Sequence, residues 1–478
     1  MRGPHAAFRS PEAATEGSDG DPVADSLGPG TGWSAVNGFR TVALETLGCK
    51  VNQYESVYFR QTLEEAGYRL VSFREPADIY LVHGCAVTAR AAFQARQLLR
   101  RAQRLNPDAA IVAAGCHGQL EAARIVHERL ATHILDNRTK FELVDWLQVP
   151  GDLANPVCSS NPLDRPTIFS PLPLTAWHSG RARALLKVQD GCNAFCAYCV
   201  VPHLRGRSRS LSLEGVGAQM ARLLVHGCRE VVLTGIHLGQ WGKDLDPPLE
   251  LATLLRVLNE GPRPYRIRLS SLEPMECTPY LLTSVAGYTW LCPHFHVPLQ
   301  SGDADVLARM GRPYAPQQYA ERIWEIHRLF PRAALGADVM VGFPGESAFQ
   351  FANTCDLIRQ LPLSYLHAFP FSPRPGTAAE SLPGRLPGQE LKCRVQVLRD
   401  LSRQKKQAFQ AGLLGRTVEV LAETEIEPGW WRGTSENYLQ VVFPASGPLI
   451  PGFIARVTLE QLTERGMLGK PLEIAAGT

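Results

Sequence analysis

Between residues 184 and 370 the chain repeats one pattern. Short apolar runs at 184–189, 230–235, 265–271, 294–299, 335–342 and 364–370 alternate with segments of helical spacing such as Leu213–His226 and Pro316–Leu329. Strand–helix alternation commits a chain to a parallel sheet. Six βα units in about 220 residues fit a curved, partial (β/α)6 barrel, shorter than the eight-unit barrel. Nowhere is there an apolar run of the ~18 residues that spans a bilayer, so no membrane partner is expected.

The barrel is one module among several, as the length of 478 residues suggests. Residues 1–38 are rich in Gly, Pro, Ala and Ser without apolar period and read as a disordered extension. They carry neither a secretory h-region nor the acid-poor composition of a transit peptide, which places the chain in the cytoplasm. From residue 39 to about 150, apolar runs at 41–47, 77–82, 109–114 and 133–135 alternate with helical segments at 53–66 and 88–105, a parallel α/β domain. Residues 151–180 are rich in Pro and Ser and read as a linker. The barrel occupies 181–409. From 410 to 478 short strands at 417–421, 438–443 and 453–459 lie between Gly/Pro turns, as in a small β-barrel of the OB type.

The 12 cysteines are too sparse for a disulfide scaffold and too clustered to be incidental. Cys192, Cys196 and Cys199 share one tight loop after the first barrel strand, at C-x3-C-x2-C spacing. Soft thiolates select zinc, copper(I) or iron–sulfur clusters. Structural zinc takes four closed ligands and this loop supplies three. Three thiolates on a four-iron cluster leave one iron open to chelate the amine and carboxylate of a small molecule. A zinc knuckle or three core thiols are the alternatives. Cys49, Cys85 and Cys116 each sit just past a different strand of the first module, at points that converge on one edge of a parallel sheet. They read as a second triad of the same kind or as buried core thiols. Cys158, Cys228, Cys277, Cys292, Cys355 and Cys393 show no paired spacing and read as ordinary reduced thiols.

The cysteine loop resembles the signature of radical S-adenosylmethionine (SAM) enzymes. Over about residues 39–475 the chain resembles one family of them, the radical-SAM methylthiotransferases. The blocks that carry this are Thr46-Leu-Gly-Cys49-Lys-Val-Asn-Gln-Tyr-Glu-Ser56, Lys187-Val-Gln-Asp-Gly-Cys192, Leu233-Thr-Gly-Ile-His-Leu-Gly239, Ser270-Ser-Leu-Glu-Pro274, Val297-Pro-Leu-Gln-Ser-Gly302, Asp338-Val-Met-Val-Gly-Phe-Pro-Gly-Glu346 and Phe371-Ser-Pro-Arg-Pro-Gly-Thr377. Gly48-Cys-Lys-Val-Asn-Gln53 is similar to the subgroup that acts on threonylcarbamoyladenosine (t6A) in tRNA, and Gly433-Thr-Ser-Glu-Asn-Tyr-Leu439 to the TRAM domain, an RNA-binding β-barrel. The resemblance implies two [4Fe–4S] clusters, the SAM cluster on Cys192, Cys196 and Cys199 and an auxiliary one on Cys49, Cys85 and Cys116. It implies that one SAM methylates a sulfur on the auxiliary cluster. A second SAM yields the 5′-deoxyadenosyl radical that takes hydrogen from C2 of adenosine 37, which then gains methylthio. A one-electron donor such as flavodoxin or ferredoxin is implied with it; the sulfur donor is unknown. Two positions depart from the family pattern: His83 and His237 stand where Asn is usual, and both read as neutral substitutions around the sites.

Among other residues, Tyr198 is expected near the adenine of SAM, and Gly235 and Gly342 where backbone approaches the cofactor or turns sharply. Arg205, with Arg207 and Arg209, is expected to meet the SAM carboxylate or RNA phosphate. Arg96, Arg100, Arg101 and Arg104 form a stripe read as a solvated helix face, and Trp430-Trp431 reads as barrel packing. The whole chain is +3. Residues 1–38 hold 2 basic and 5 acidic residues and residues 410–478 hold 5 and 8, so residues 39–409 carry +9. The catalytic body suits a phosphate-rich partner; the terminal barrel is acidic, so its contacts with tRNA are expected to rest on shape and local contacts, not bulk charge. A methylthiotransferase of the isopentenyladenosine or ribosomal-protein subgroup, and a non-catalytic iron–sulfur redox or RNA-binding protein, are the competing functions.

Overall fold

The computed structural model describes residues 41–159, 169, 172, 182–260, 265–447, 449–464 and 466–475. The extension 1–38 and most of the segment 151–180 lie outside the described residues. The described residues divide into two compact units, the first of residues 41–48, 59–86 and 90–159, the second of residues 49–58, 87–89 and the described residues from 169 to 475.

The first unit is a parallel sheet of six strands, β1 (Thr41–Thr46), β2 (Arg69–Val71), β3 (Ile79–His83), β4 (Ala110–Ala114), β5 (His133–Leu135) and β6 (Val157–Cys158), in the order β2-β1-β3-β4-β5-β6. Every residue of β3 and β4 is buried, as continuous apolar strands are when both faces are covered. Helix α1 (Lys50–Glu65) follows β1 and helix α2 (Ala89–Leu105) follows β3. Ala92, Ala95, Leu99 and Ala102 recur at helical spacing on α2 and are its buried face. The four expected strands are present. The edge strands β2 and β6 were not expected, and β6 lies in the segment read as linker: two or three residues are too few to show a period.

The second unit holds the barrel and the terminal domain. Strands β7 (Ala184–Lys187), β10 (Glu230–Thr234) and β11 (Arg266–Leu269) form one parallel sheet in the order β11-β10-β7. Strands β12 (His294–His296), β13 (Ala334–Val341) and β14 (Tyr365–Pro370) form another. The two meet through the bridge from Ile267 of β11 to Leu291, just before β12, which makes a six-stranded partial barrel with helices between its strands. A short hairpin of β8 (Gln189–Asp190) and β9 (Arg209–Ser210) brackets the cysteine loop. A 24-residue helix, Gly388–Ala411, leads to a closed barrel of β15 (Thr417–Glu427), β16 (Trp430–Ser435), β17 (Gln440–Pro444), β18 (Ile454–Thr463) and β19 (Gly466–Ala475). Val420, Trp431, Val441, Phe443, Phe453 and Val457 pack in its core, so Trp431 is a packing residue. β16 and β19 were not anticipated; Gly433, Gly469 and Pro471 break their apolar alternation.

The terminal barrel is bonded to the partial barrel through Glu230. Its fully buried carboxylate accepts from Arg266 Nε at 2.7 Å and from Arg268 Nε at 2.8 Å. The outer nitrogens of both guanidiniums then donate to the carbonyls of Glu419, Thr434, Ser435 and Glu436 at 2.9–3.0 Å. Burial alone would raise the Glu230 pKa; Arg266 and Arg268 outweigh it and hold it at about 2. A depressed carboxylate contributes its stability above the unfolded value of 4.5 and loses it as pH falls toward 2. Glu230→Gln is therefore expected to lower unfolding free energy at neutral pH by roughly 3–5 kcal/mol, since it leaves buried guanidiniums unpaired. In denaturant titrations, the gap between wild type and E230Q narrows below about pH 4.5; a pH-independent gap would refute the assignment.

Candidate active site

The cysteine loop begins where β8 ends. Gly191 adopts φ 75°, and a Cβ there would lie 2.0 Å from the Arg207 carbonyl, so only glycine lets the hairpin close under the loop. Phe195, half exposed, carries φ 45°, a conformation side chains rarely accept outside a site that needs it. Backbone bonds from Cys192 N to Gly206 O (3.1 Å), Ala197 N to Met310 O (2.9 Å) and Cys199 N to Cys196 O (2.9 Å) fix the loop at its start, middle and end. No described cysteine forms a disulfide.

Two cationic side chains reach the thiols. Arg312 Nη1 donates to Cys196 Sγ at 3.4 Å while its Nη2 is paired with Glu273. His237 Nδ1 lies 3.3 Å from Cys192 Sγ and its Nε2 lies 2.7 Å from Glu276 Oε1. Burial would lower the His237 pKa; the bonds to Cys192 and Glu276 reverse this and raise it to about 10. His237 thus touches a site cysteine directly. Among the described residues, only His296, Asp338 and His367 crowd their ligand atoms within 4.8 Å of one another. The three loop thiols are more widely spread, which suits a cluster whose thiolates sit on separate irons better than one ion.

Below the loop lies a buried ion network. Glu55 and Asp190 face Lys187 and Arg205: Lys187 Nζ is 3.0 Å from Glu55 and 3.1 Å from Asp190, and Arg205 Nη1 is 3.0 Å from each. Arg205 Nη2 donates to Asn52 Oδ1 at 2.8 Å, and Asn52 Oδ1 stands 3.8 Å from Cys49 Sγ. This corrects the expectation for Arg205. Its guanidinium is spent on Glu55, Asp190 and Asn52 and is not offered to SAM or phosphate. Arg207 lies over the Phe195 ring and Arg209 donates to the Arg205 carbonyl. Asn52, Glu55, Lys187, Glu276 and Arg312 were not singled out from sequence. Their signal was adjacency to the quoted blocks, which spacing alone does not rank.

In the first unit, Cys85 and Cys116 follow the paired ends of β3 and β4, where His83 is in register with Ala114. Gly84 N donates to Ala114 O at 2.9 Å and His117 N to Gly84 O at 3.3 Å, which zips the two cysteine turns together. A Cβ on Gly84 would lie 2.5 Å from His117, and one on Gly115 (φ 80°) 2.8 Å from the His83 ring. His83 therefore fills the space between the turns. Asn137 Nδ2 donates to Cys116 Sγ at 3.4 Å, and Lys140, fully buried, donates to Asn137 Oδ1 at 2.9 Å. In register with His83 on its other side is Thr46, the last residue of β1, three residues before Cys49.

Tyr198 packs beside the cluster of Val306, Met310, Met340 and Phe343. Gly235 follows β10, and a Cβ there would meet Gln189 at 2.7 Å. Gly342 has φ 74° and donates to Glu346 Oε2 at 2.8 Å, which is turn chemistry. Arg96 and Arg100 pair with Glu121 and Glu128, so half of the expected stripe faces acids of its own unit.

A split six-stranded barrel with a three-cysteine loop after its first strand is the architecture of a radical SAM enzyme. The model of the radical SAM superfamily matches residues 186–358, and that of the uncharacterized protein family UPF0004 matches residues 41–135. A solved structure with a similar fold is the radical SAM methyltransferase TsrM from Kitasatospora setae, at TM-score 0.51 and 15% identity over 72% of this chain and 74% of that one. The threonylcarbamoyladenosine tRNA methylthiotransferase MtaB of Bacillus subtilis is 34% identical over 426 residues, 88% of this chain and 93% of that protein. The tRNA-2-methylthio-N(6)-dimethylallyladenosine synthase of Desulfitobacterium hafniense is 30% identical over 88% of this chain and 95% of that protein. The chain belongs to the radical SAM methylthiotransferases, on the MtaB side of that family, whose cofactors are SAM and two [4Fe–4S] clusters.

The ion network makes a testable demand. Glu55→Gln leaves Lys187 and Arg205 short of one buried carboxylate, at a cost of about 3–5 kcal/mol. Denaturant unfolding of the metal-free chain is expected to show that loss. A loss under about 1 kcal/mol, the size of a surface pair, would contradict the network's role.

Proposed function

We propose that the chain methylthiolates C2 of the t6A base at position 37 of tRNA, giving ms2t6A. The observation that carries this reading is the cysteine loop with its sulfur-directed donors, set in a chain 34% identical to an MtaB relative over 88% of its length. Cys192, Cys196 and Cys199 would hold one cluster, and Cys49, Cys85 and Cys116 the other. The bound clusters and SAM supply an electron for SAM cleavage, a radical, and the sulfur to be methylated and transferred.

The chain's own residues do the rest. Arg312 and His237 place positive charge against Cys196 and Cys192, and hydrogen bonds to ligand sulfurs tune a cluster's potential. Asn137 does the same for Cys116, with Lys140 behind it. Tyr198 and Gly235 would lie beside SAM. The +9 body supplies the field that draws tRNA, and the acidic terminal barrel would add shape and local contacts, not bulk charge. A reductant of the flavodoxin or ferredoxin class and a cytoplasmic setting complete the reading. No described helix is long and apolar enough to cross a membrane.

Anaerobically reconstituted protein given SAM, dithionite and t6A-containing tRNA is expected to form 5′-deoxyadenosine and ms2t6A, read by nucleoside mass spectrometry. Cys196→Ala is expected to abolish both products. Cys85→Ala is expected to lower iron from about eight to about four per chain, one [4Fe–4S] cluster fewer. SAM cleavage that persists in C196A would overturn the cluster assignment.

A further inference from the structure

Inside the second unit lies a cavity of about 380 Å³, lined among others by Lys50, Gln53, Arg183, Arg268, Thr424 and Tyr438. At mid-barrel its walls mix charged and apolar side chains: Arg268 and Val232 are neighbours across β11 and β10, and Leu185 pairs with Val232 from β7. Val232 is two residues before Thr234, the strand end beside the cysteine loop's hairpin, so the cavity is one inward-facing layer, roughly 7 Å, below that level. Tyr438 enters from the terminal barrel with φ 66°, stacks on His294 at 4.2 Å between ring centroids, and lies 5.3 Å from the Arg268 guanidinium.

The carboxylates around this cavity are already used. Glu230 is shared by Arg183, Arg266 and Arg268. Glu423 is paired with Arg183 and also accepts from Thr434 at 2.9 Å. Asp338 takes His296 Nε2 at 3.0 Å and His367 Nδ1 at 3.3 Å. Lys50 alone of the lining cations has, among the described residues, no hydrogen bond or ion pair. His296, Asp338 and His367 have the donor types of a metal triad, yet the Asp338 carboxylate already bonds both rings. Burial, and after it the charges of Arg268, His296, Lys50 and Arg183, hold the His294 pKa well below its ordinary value and mark a positive field around that ring. That field repels a cation and attracts an anion.

We infer that this cavity receives the N6 substituent of the substrate base, with Lys50 pairing with the free carboxylate of the threonylcarbamoyl group. The inference rests on the substrate reading above. A threonine joined through its amine keeps an ionised carboxylate at neutral pH. A dimethylallyl group has none, and seating it would leave Lys50, whose charged form burial and then Arg268 and Arg183 already disfavour, without a counter-charge, which is how a site rejects an analogue. Gln53 and Thr424 supply further polar atoms for the ureido and hydroxyl groups.

The test compares tRNA carrying t6A with the same tRNA carrying its methyl ester, for wild type and for Lys50→Met. Wild type is expected to methylthiolate the acid with kcat/KM roughly 10–100-fold above the ester, the size of a charge-assisted bond. K50M is expected to treat the two alike. Wild type that turns over both equally overturns the inference while leaving the substrate reading intact, and this needs no variant to fold. K50M that keeps the wild-type preference overturns it as well. Wild type that modifies neither, but modifies dimethylallyl tRNA, overturns the substrate reading and the inference with it.

Discussion

Two carboxylates and two cations, all nearly dry, hold the cysteine loop in place. Glu55 comes from the second turn of α1, Lys187 from the end of β7, Asp190 from the hairpin, and Arg205 from the helix after the loop. Each buried charge costs several kcal/mol to desolvate, and a partial set would be worse than none. The network is therefore all-or-nothing, and it forms only when the four elements are in register. Because Asp190 precedes Cys192 and Arg205 follows Cys199, both ends of the loop are tied to the same carboxylates. Asn52 extends the tie to the turn at Cys49. The residues that begin α1 thus belong with the barrel and not with the sheet they follow in sequence, which is why the compact units divide the helix.

The periodic parts of the molecule were legible before any coordinate. Strands β3 and β4, apolar except for His83 at the end of β3, stood out as buried strands, and the six barrel strands followed from alternation. Elements without a period escaped: the two- and three-residue edge strands β2 and β6, and the glycine-broken β16 and β19. The site divides the same way. The cysteines announced themselves by type and spacing. Arg312 and Glu276 did not, since what matters about them is that one reaches the Cys196 sulfur and the other the His237 ring across a gap of tens of residues. Arg205 shows the converse error. Its place beside the loop suggested an anion-binding role, and only the geometry reveals that Glu55, from 150 residues away, already fills it.

The charge distribution has a structural counterpart. The terminal barrel is acidic, yet what it offers the partial barrel is mainly backbone. Carbonyls of Glu419, Thr434, Ser435 and Glu436 take the guanidinium hydrogens that Glu230 cannot. Carbonyl oxygens neutralise nothing, so Arg266 and Arg268 remain a net positive pair at mid-barrel. The result is a domain junction in which each guanidinium nitrogen of Arg266 and Arg268 has an acceptor while an electrostatic surplus is left inside.

Closed eight-stranded barrels fill their interior with branched apolar side chains. This six-stranded one buries Glu230, Arg266, Arg268, His294 and His296 on strands that point into it, with Tyr365 bridging the two histidines at 2.7 and 3.1 Å. A polar interior of this kind gives up transfer free energy that leucine or valine would have supplied, and it demands a partner for every atom. Selection for stability alone would repack it. Its position under a cysteine loop, at the depth of one inward-facing layer, suits a site in which the substrate itself, and not the protein core, supplies the missing counter-charge.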